Sequence, residues 1–139
     1  MISFNYELEF ILQDESLYAE WISQVIQSES KKEGDINYVF CDDDYILQIN
    51  QQYLNHDYYT DIISFDYCVG NELHGDIFIS IDRVRENAAD YNVSFEEELK
   101  RVLIHGVLHY CGYKDKTEDE ELLMRSKENN AIEMFHVER

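Results

Sequence analysis

Arg101-Val-Leu-Ile-His105-Gly-Val-Leu-His109-Tyr-Cys-Gly112-Tyr-Lys-Asp115 is the stretch around which this chain is organised. Two histidines sit four residues apart in an apolar run. A glycine stands three residues after the second, and an aspartate three after that. Positions four apart on a helix share one face, about 40° apart at 3.6 residues per turn. Both imidazoles then point the same way. The helix is apolar nearly all round, so it should be buried. Buried imidazoles need polar partners. Separate core hydrogen bonds satisfy that need, and so does one shared metal ion. Gly112 suits the helix end, because glycine takes the left-handed conformation found there. A chain that turns back at Gly112 can bring up Asp115 as a third ligand. Three protein ligands with one open position is the arrangement of a catalytic zinc site. Cys111 falls roughly on the opposite side of the helix from His109 and is excluded as a ligand.

Outward from this helix, the boundaries are legible. Ser94 and Glu97 form a capping box that opens it, and Thr117 and Glu120 form another that opens the last helix. The presumptive metal loop is therefore bounded by Gly112 and Thr117. Upstream, Ile2–Glu7 reads as a strand, Ser16 as the cap of a helix reaching about Lys31, and Ile36–Cys41 as a strand. The Asp42–Asp44 cluster opens a second helix carrying Ile46, Leu47, Ile49, Tyr53 and Leu54. Asp61–Tyr67 and Asp76–Ile81, rich in Ile and Phe, read as strands joined by a loop containing Gly70 and Gly75. Asp82 precedes a short helix to about Asp90. With no proline in the chain, these breaks rest on glycine and polar clusters. The order strand, helix, strand, helix, strand, strand and three helices predicts an α+β domain: a small mixed four-stranded sheet covered by helices.

Composition bounds the rest. At 139 residues and 45% apolar, the chain reads as one domain, 1–139, with room for a real core. It has no apolar run of membrane-spanning length, and the segment beginning Met1-Ile-Ser-Phe lacks a signal-peptide pattern, so a cytoplasmic protein is expected. Cys41, Cys68 and Cys111 share no close spacing and read as reduced thiols. Eleven basic against thirty acidic residues give a formal charge of −19. Such a surface repels phosphate at long range, within the limit set by a screening length of about 10 Å at 0.1 M salt. Charge alone argues against a nucleic-acid partner, so any RNA role needs a local basic site or a partner protein.

The motif His105-Gly-x-Leu108-His109-x-x-Gly112-Tyr113 resembles the metal motif of the YbeY family of rRNA-maturation endoribonucleases, His-Gly-x-Leu-His-x-x-Gly-Tyr-Asp-His. Thr60-Asp61-Ile62-Ile63-Ser64-Phe65 resembles that family's Thr-Asp-Val-Leu-Ser-Phe strand, and Gly75-Asp76-Ile77 its Gly-Asp-Ile strand. Order and spacing agree across nearly the whole chain. The resemblance implies a zincin-like fold, a bound zinc and a bacterial cytosolic protein. It also implies single-strand cleavage in 16S rRNA 3′-end maturation and a part in ribosome quality control on the small ribosomal subunit. Two positions depart from it. The family's third ligand is a histidine, where this chain has Asp115; a carboxylate is an ordinary zinc ligand at about 2.0–2.2 Å, and the altered set also suits iron or manganese. The family's phosphate-directed arginine aligns with Leu54, which carries no charge. His56, Lys114 and Lys116 are candidate substitutes, His56 and Lys114 foremost, although each also reads as a solvated loop residue.

Zincin proteases use His-Glu-x-x-His, with glutamate as general base. Gly106 occupies that position, so a base must come from elsewhere. Asp61 reads as structural, capping the preceding loop, and Glu98, about 10 Å along the axis from His105, as a surface residue. Three classes follow: a metal-dependent endoribonuclease, a metal-dependent peptidase or other hydrolase, and a largely non-catalytic ribosome-assembly factor. For the first and third, a basic ribosomal protein is the expected partner that offsets the charge.

Overall fold

Strict alternation builds the central strand. In β2 (Lys32–Cys41), Gly34, Ile36, Tyr38 and Phe40 are buried, while Asp35 and Asn37 face solvent. The computed structural model describes residues 1–54 and 60–137. Four strands form one sheet in the order β1-β2-β4-β3. β1 (Ile2–Tyr6) and β4 (Glu72–Ser80) run parallel to β2, and β3 (Ile62–Asp66) lies antiparallel to β4 at the edge. The helices are α1 (Glu15–Ser28), α2 (Asp43–Tyr53), α3 (Ile81–Tyr91), α4 (Phe95–Tyr110) and α5 (Glu118–Val137). Element order and mixed sheet agree with the α+β expectation.

One sheet face carries the main core. Ile36, Tyr38, Phe40, Ile77 and Ile79 pack with Trp21, Ile22 and Ile26 of α1 and with Leu99, Leu103, Ile104 and Val107 of α4. Met124, Ala131 and Phe135 of α5 close the outer side. On the opposite face, α2 sets Ile46 and Ile49 against Ile63 and Cys41. Helix α4 is held against the sheet by close approach and by hydrogen bonds. A Cβ on Gly106 would lie 3.0 Å from Ile77 Cδ1 and 3.2 Å from Ile62 Cδ1. Tyr38 donates its buried hydroxyl to the Leu103 carbonyl at 2.7 Å, and Tyr110 donates to the Phe65 carbonyl at 2.8 Å. No described helix is long and apolar enough to cross a membrane.

Several boundaries differ from the sequence reading, each for a local reason. α1 is capped by Asp14, whose carboxylate accepts from the Leu17 N–H, and not by Ser16; the helix ends at Ser28. β2 begins at Lys32 and β4 at Glu72, because their first residues pair across an irregularity between Glu33 and Ile36 that interrupts the alternating pattern. Gly75 therefore lies within β4 and not in a loop. β3 begins one residue after Asp61. α3 is capped by Ser80, while Asp82 sits in its first turn and accepts from the Asp43 N–H at 3.0 Å.

Candidate metal centre

The end of α4 positions both histidines. Beyond Cys111, Gly112 takes φ 105, a conformation that favours glycine. The Tyr113 N–H bonds the Leu108 carbonyl at 3.1 Å, and the Gly112 N–H bonds that of His109 at 3.0 Å. This is a Schellman turn, which satisfies the last carbonyls of the helix and reverses the chain. It also presents the Tyr113 carbonyl to His109, whose Nδ1 lies 2.9 Å away. Because a carbonyl only accepts, Nδ1 carries the proton and Nε2 keeps its lone pair. The returning loop is pinned where Tyr113 donates to Glu29 at 2.6 Å and Lys127 donates to the other oxygen of Glu29 at 3.2 Å. The Thr117–Glu120 box closes it: the Thr117 N–H bonds Glu120 at 2.9 Å, and the Glu120 N–H bonds Thr117 at 3.1 Å.

Three donors converge in the cup so formed. His105 Nε2 lies 3.0 Å from His109 Nε2 and 3.1 Å from Asp115 Oδ2, which is 3.3 Å from His109 Nε2. Among the described residues, these three side chains form the one group of metal-binding type whose ligand atoms lie mutually within 4.8 Å. Around a tetrahedral ion with bonds of 2.0–2.1 Å, ligand atoms sit about 3.3 Å apart. The spacing fits. So does the chemistry, because lone pairs of both Nε2 atoms and a carboxylate oxygen crowd one point with no donor to separate them.

Glu128 of α5 fixes the same tautomer in His105. Its Oε2 lies 2.7 Å from His105 Nδ1, and its Oε1 accepts from Arg101 at 3.0 Å. Glu128 is 4% exposed, so its charge is balanced where it lies. Burial alone would keep the His105 imidazole neutral. The hydrogen bond and charge of Glu128, with the charges of Asp115 and Asp61, outweigh it and raise the pKa from 6.5. A carboxylate on the far nitrogen of a metal-ligating histidine sets its orientation and raises its basicity. Glu128 was absent from the sequence reading, although a signal existed. On α5 it continues the buried stripe of Met124, Ala131 and Phe135, a place where an unpaired charge is not tolerated.

Beside the donors opens a cleft of about 250 Å³. Asp61, Glu98, Arg101, Arg125 and Glu128 line it with His105 and Asp115. Glu98 is thus buried in the cleft wall, 4% exposed, and not a surface residue. The helical stripe that carries His105 runs back along the same cleft wall, where Asp61 and Asn87 also stand. Burial pushes the carboxyls of Asp61 and Glu98 above their ordinary values. Asp61 accepts from Asn87 at 3.4 Å and also reaches this wall. Of the suggested arginine substitutes, Lys114 and Lys116 are exposed on the loop, and neither lines the cleft. His56 lies outside the described residues. Leu54 is the C-cap of α2 and 40% exposed. Cys41, Cys68 and Cys111 are free.

A three-donor cup with an open side, on a buried helix laid over a mixed sheet, has the form of a mononuclear metallohydrolase centre. The chain belongs to the endoribonuclease YbeY family, whose model matches residues 4–136. It is 67% identical over 139 residues to the "Endoribonuclease YbeY" of Flavobacterium psychrophilum, covering 100% of this chain and 99% of that one. The protein of the same name from Christiangramia forsetii is 58% identical over 138 residues, covering 99% and 96%. A Thermotoga maritima protein solved in solution superposes with a TM-score of 0.71 at 26% identity, over 99% of this chain and 91% of the other.

Proposed function

We propose that this protein is a metal-dependent endoribonuclease that cuts single-stranded RNA in 16S rRNA 3′-end maturation, with a part in ribosome quality control. The convergence of His105, His109 and Asp115 carries the reading, together with relatives named as endoribonucleases. His105, His109 and Asp115 hold one ion in this reading, zinc being the first choice for two imidazoles and a carboxylate. Bound there, the ion would supply Lewis acidity, toward a water molecule and toward a phosphoryl oxygen. The protein's own part is orientation. Glu128 and the Tyr113 carbonyl keep both Nδ1 atoms protonated and both Nε2 atoms turned inward.

The peptidase alternative meets a steric objection. A side chain at position 106 starts against Ile77 and Ile62 of the sheet, so a glutamate there is directed into packed core. The reading of a largely non-catalytic assembly factor draws on Leu54 and the −19 charge. The working setting is the cytoplasm, with the chain acting as one domain on ribosomal RNA in the small subunit, helped by a basic ribosomal protein. Labelled rRNA precursor incubated with purified protein, with and without chelator, tests the activity. Chelator-sensitive cleavage supports the enzyme; binding to the subunit without cleavage supports the assembly factor. Cleavage of a protein substrate would restore the peptidase.

A further inference from the structure

The cleft beside the donors has two guanidinium groups in its wall, and they are in different states. Arg101 is committed: its side chain is 15% exposed, NH1 donates to Glu128 at 3.0 Å and NH2 donates to Asn129 at 3.1 Å. Arg125 is 57% exposed, and its approach to Glu128 Oε1 is 3.9 Å, too long for a hydrogen bond. Arg125 borders the cleft on one side and, on the other, a second opening lined by Glu121, Met124 and Glu128. His105 and Asp115 lie in both. On α5, Arg125 stands one turn before Glu128, about 4.5 Å along the axis. Glu128 in turn bonds His105. The Glu128 carboxylate and the His105 ring therefore stand between the Arg125 guanidinium and the point where the donors converge.

Charge makes this position consequential. A divalent ion on two neutral imidazoles and one carboxylate leaves a single positive charge. Around it stand three wall carboxylates, in a chain of formal charge −19. A phosphodiester at the ion needs further positive charge close by. Lys114 and Lys116 do not line the cleft, position 54 is leucine, and Arg101 is held in the wall by bonds from both terminal nitrogens to Glu128 and Asn129. Arg125 has a planar fork suited to phosphate oxygens and is not tied down. Its approach to Glu128 is through Nε, at 3.9 Å.

We propose that Arg125 is the phosphate-binding residue of the cleft, its guanidinium donating to a non-bridging oxygen of the RNA phosphodiester presented to the metal centre. The Arg101–Glu128 pair forms the fixed wall behind it. This rests on the RNA-cleaving reading above and adds the group that anchors the substrate.

The test uses metal-loaded protein and a short labelled single-stranded oligoribonucleotide. Anisotropy is read before cleavage proceeds, across a salt series, with initial cleavage rates in parallel. Arg125→Gln is expected to bind about tenfold more weakly, the scale of one charge-assisted hydrogen bond. Its slope of log K against log salt should fall by about 0.7, one phosphate contact on a single strand. Metal content stays unchanged, and Arg125→Lys recovers part of the affinity. Arg85→Gln removes the same charge from α3, where Arg85 lies over the Phe95 ring, and should bind as the parent does. Unchanged affinity and slope in Arg125→Gln overturn the proposal. So does an equal loss in Arg85→Gln, which means general charge, or metal loss in Arg125→Gln, which means an effect through Glu128. Failure of the parent protein to bind or cut any single-stranded RNA instead removes the RNA reading itself.

Discussion

Each histidine of the cup gives its Nδ1 proton to a fixed acceptor, and the two acceptors differ in kind. The Tyr113 carbonyl belongs to the turn, whereas Glu128 is a charged side chain from another helix. Glu128→Gln keeps the shape but loses the charge and cannot accept from both His105 and Arg101. Metal affinity should fall by roughly ten- to a hundredfold, as for other partners of ligating histidines; a chelator-competition titration measures it. Asp115→Ala should weaken the metal more, yet leave the metal-free fold intact, because Asp115 sits on a loop. Glu98 behaves differently. Its carboxyl is raised from 4.5 by burial, so the folded state binds its proton more tightly than the unfolded state. Its contribution to stability is complete below 4.5 and is lost as pH rises through the folded value. Glu98→Gln should therefore be more stable than the parent at neutral pH, and the gain should vanish below 4.5. Urea unfolding at both conditions decides it, and an equal gain at both would refute the burial argument.

At the scale of elements, sequence order and caps foretold more than sequence boundaries did. Ser94, Thr117 and Gly112 were legible because each acts through its own backbone neighbourhood, where local chemistry decides. The early start of β4 was not, since Glu72 and Leu73 are held in the sheet by pairing with Lys32 and Glu33 from far along the chain. Glu98 was misplaced for the same reason: it lies in a cleft wall shared with Asp61, Asn87 and Arg125 from other parts of the chain, which no local pattern announces. The donors themselves lie within eleven consecutive residues, so their convergence was readable, while Glu128 on the next helix was missed. The Thr117 cap links local structure to the site. Thr117→Ala should cost about 1 kcal/mol and also weaken metal binding, because it frees the loop that delivers Asp115. Ser94→Ala should cost a similar amount and leave metal affinity unchanged, its cap lying at the far end of α4. Equal metal losses in both variants would mean the effect is global destabilisation.

For the whole molecule, an ion held by His105, His109 and Asp115 would tie α4 to the loop leading into α5, adding to the backbone bonds of the turn at Gly112. Binding only the native state adds RT ln(1 + [L]/Kd), about 2.7 kcal/mol at a hundredfold excess over Kd. Chelation should thus lower the melting temperature; an unchanged melt after verified removal leaves the ion a purely chemical role. The overall charge points to where the protein works. With thirty acidic residues and eleven basic ones, the net charge opposes long-range attraction to RNA. The isolated protein should bind free single-stranded RNA weakly, with a shallow salt slope, because few phosphates are neutralised at once. If, as proposed, a basic ribosomal protein supplies the missing positive charge on the small subunit, cleavage there should be much faster than of the same RNA free. Leu54→Arg isolates the cause. Leu54 is already partly exposed at the end of α2, so an arginine there adds positive charge without disturbing the core. If lack of positive charge limits the reaction, this variant cuts free RNA faster and depends less on the particle. Tight binding of free RNA by the parent protein, with a steep salt slope, would show instead that its own surface suffices.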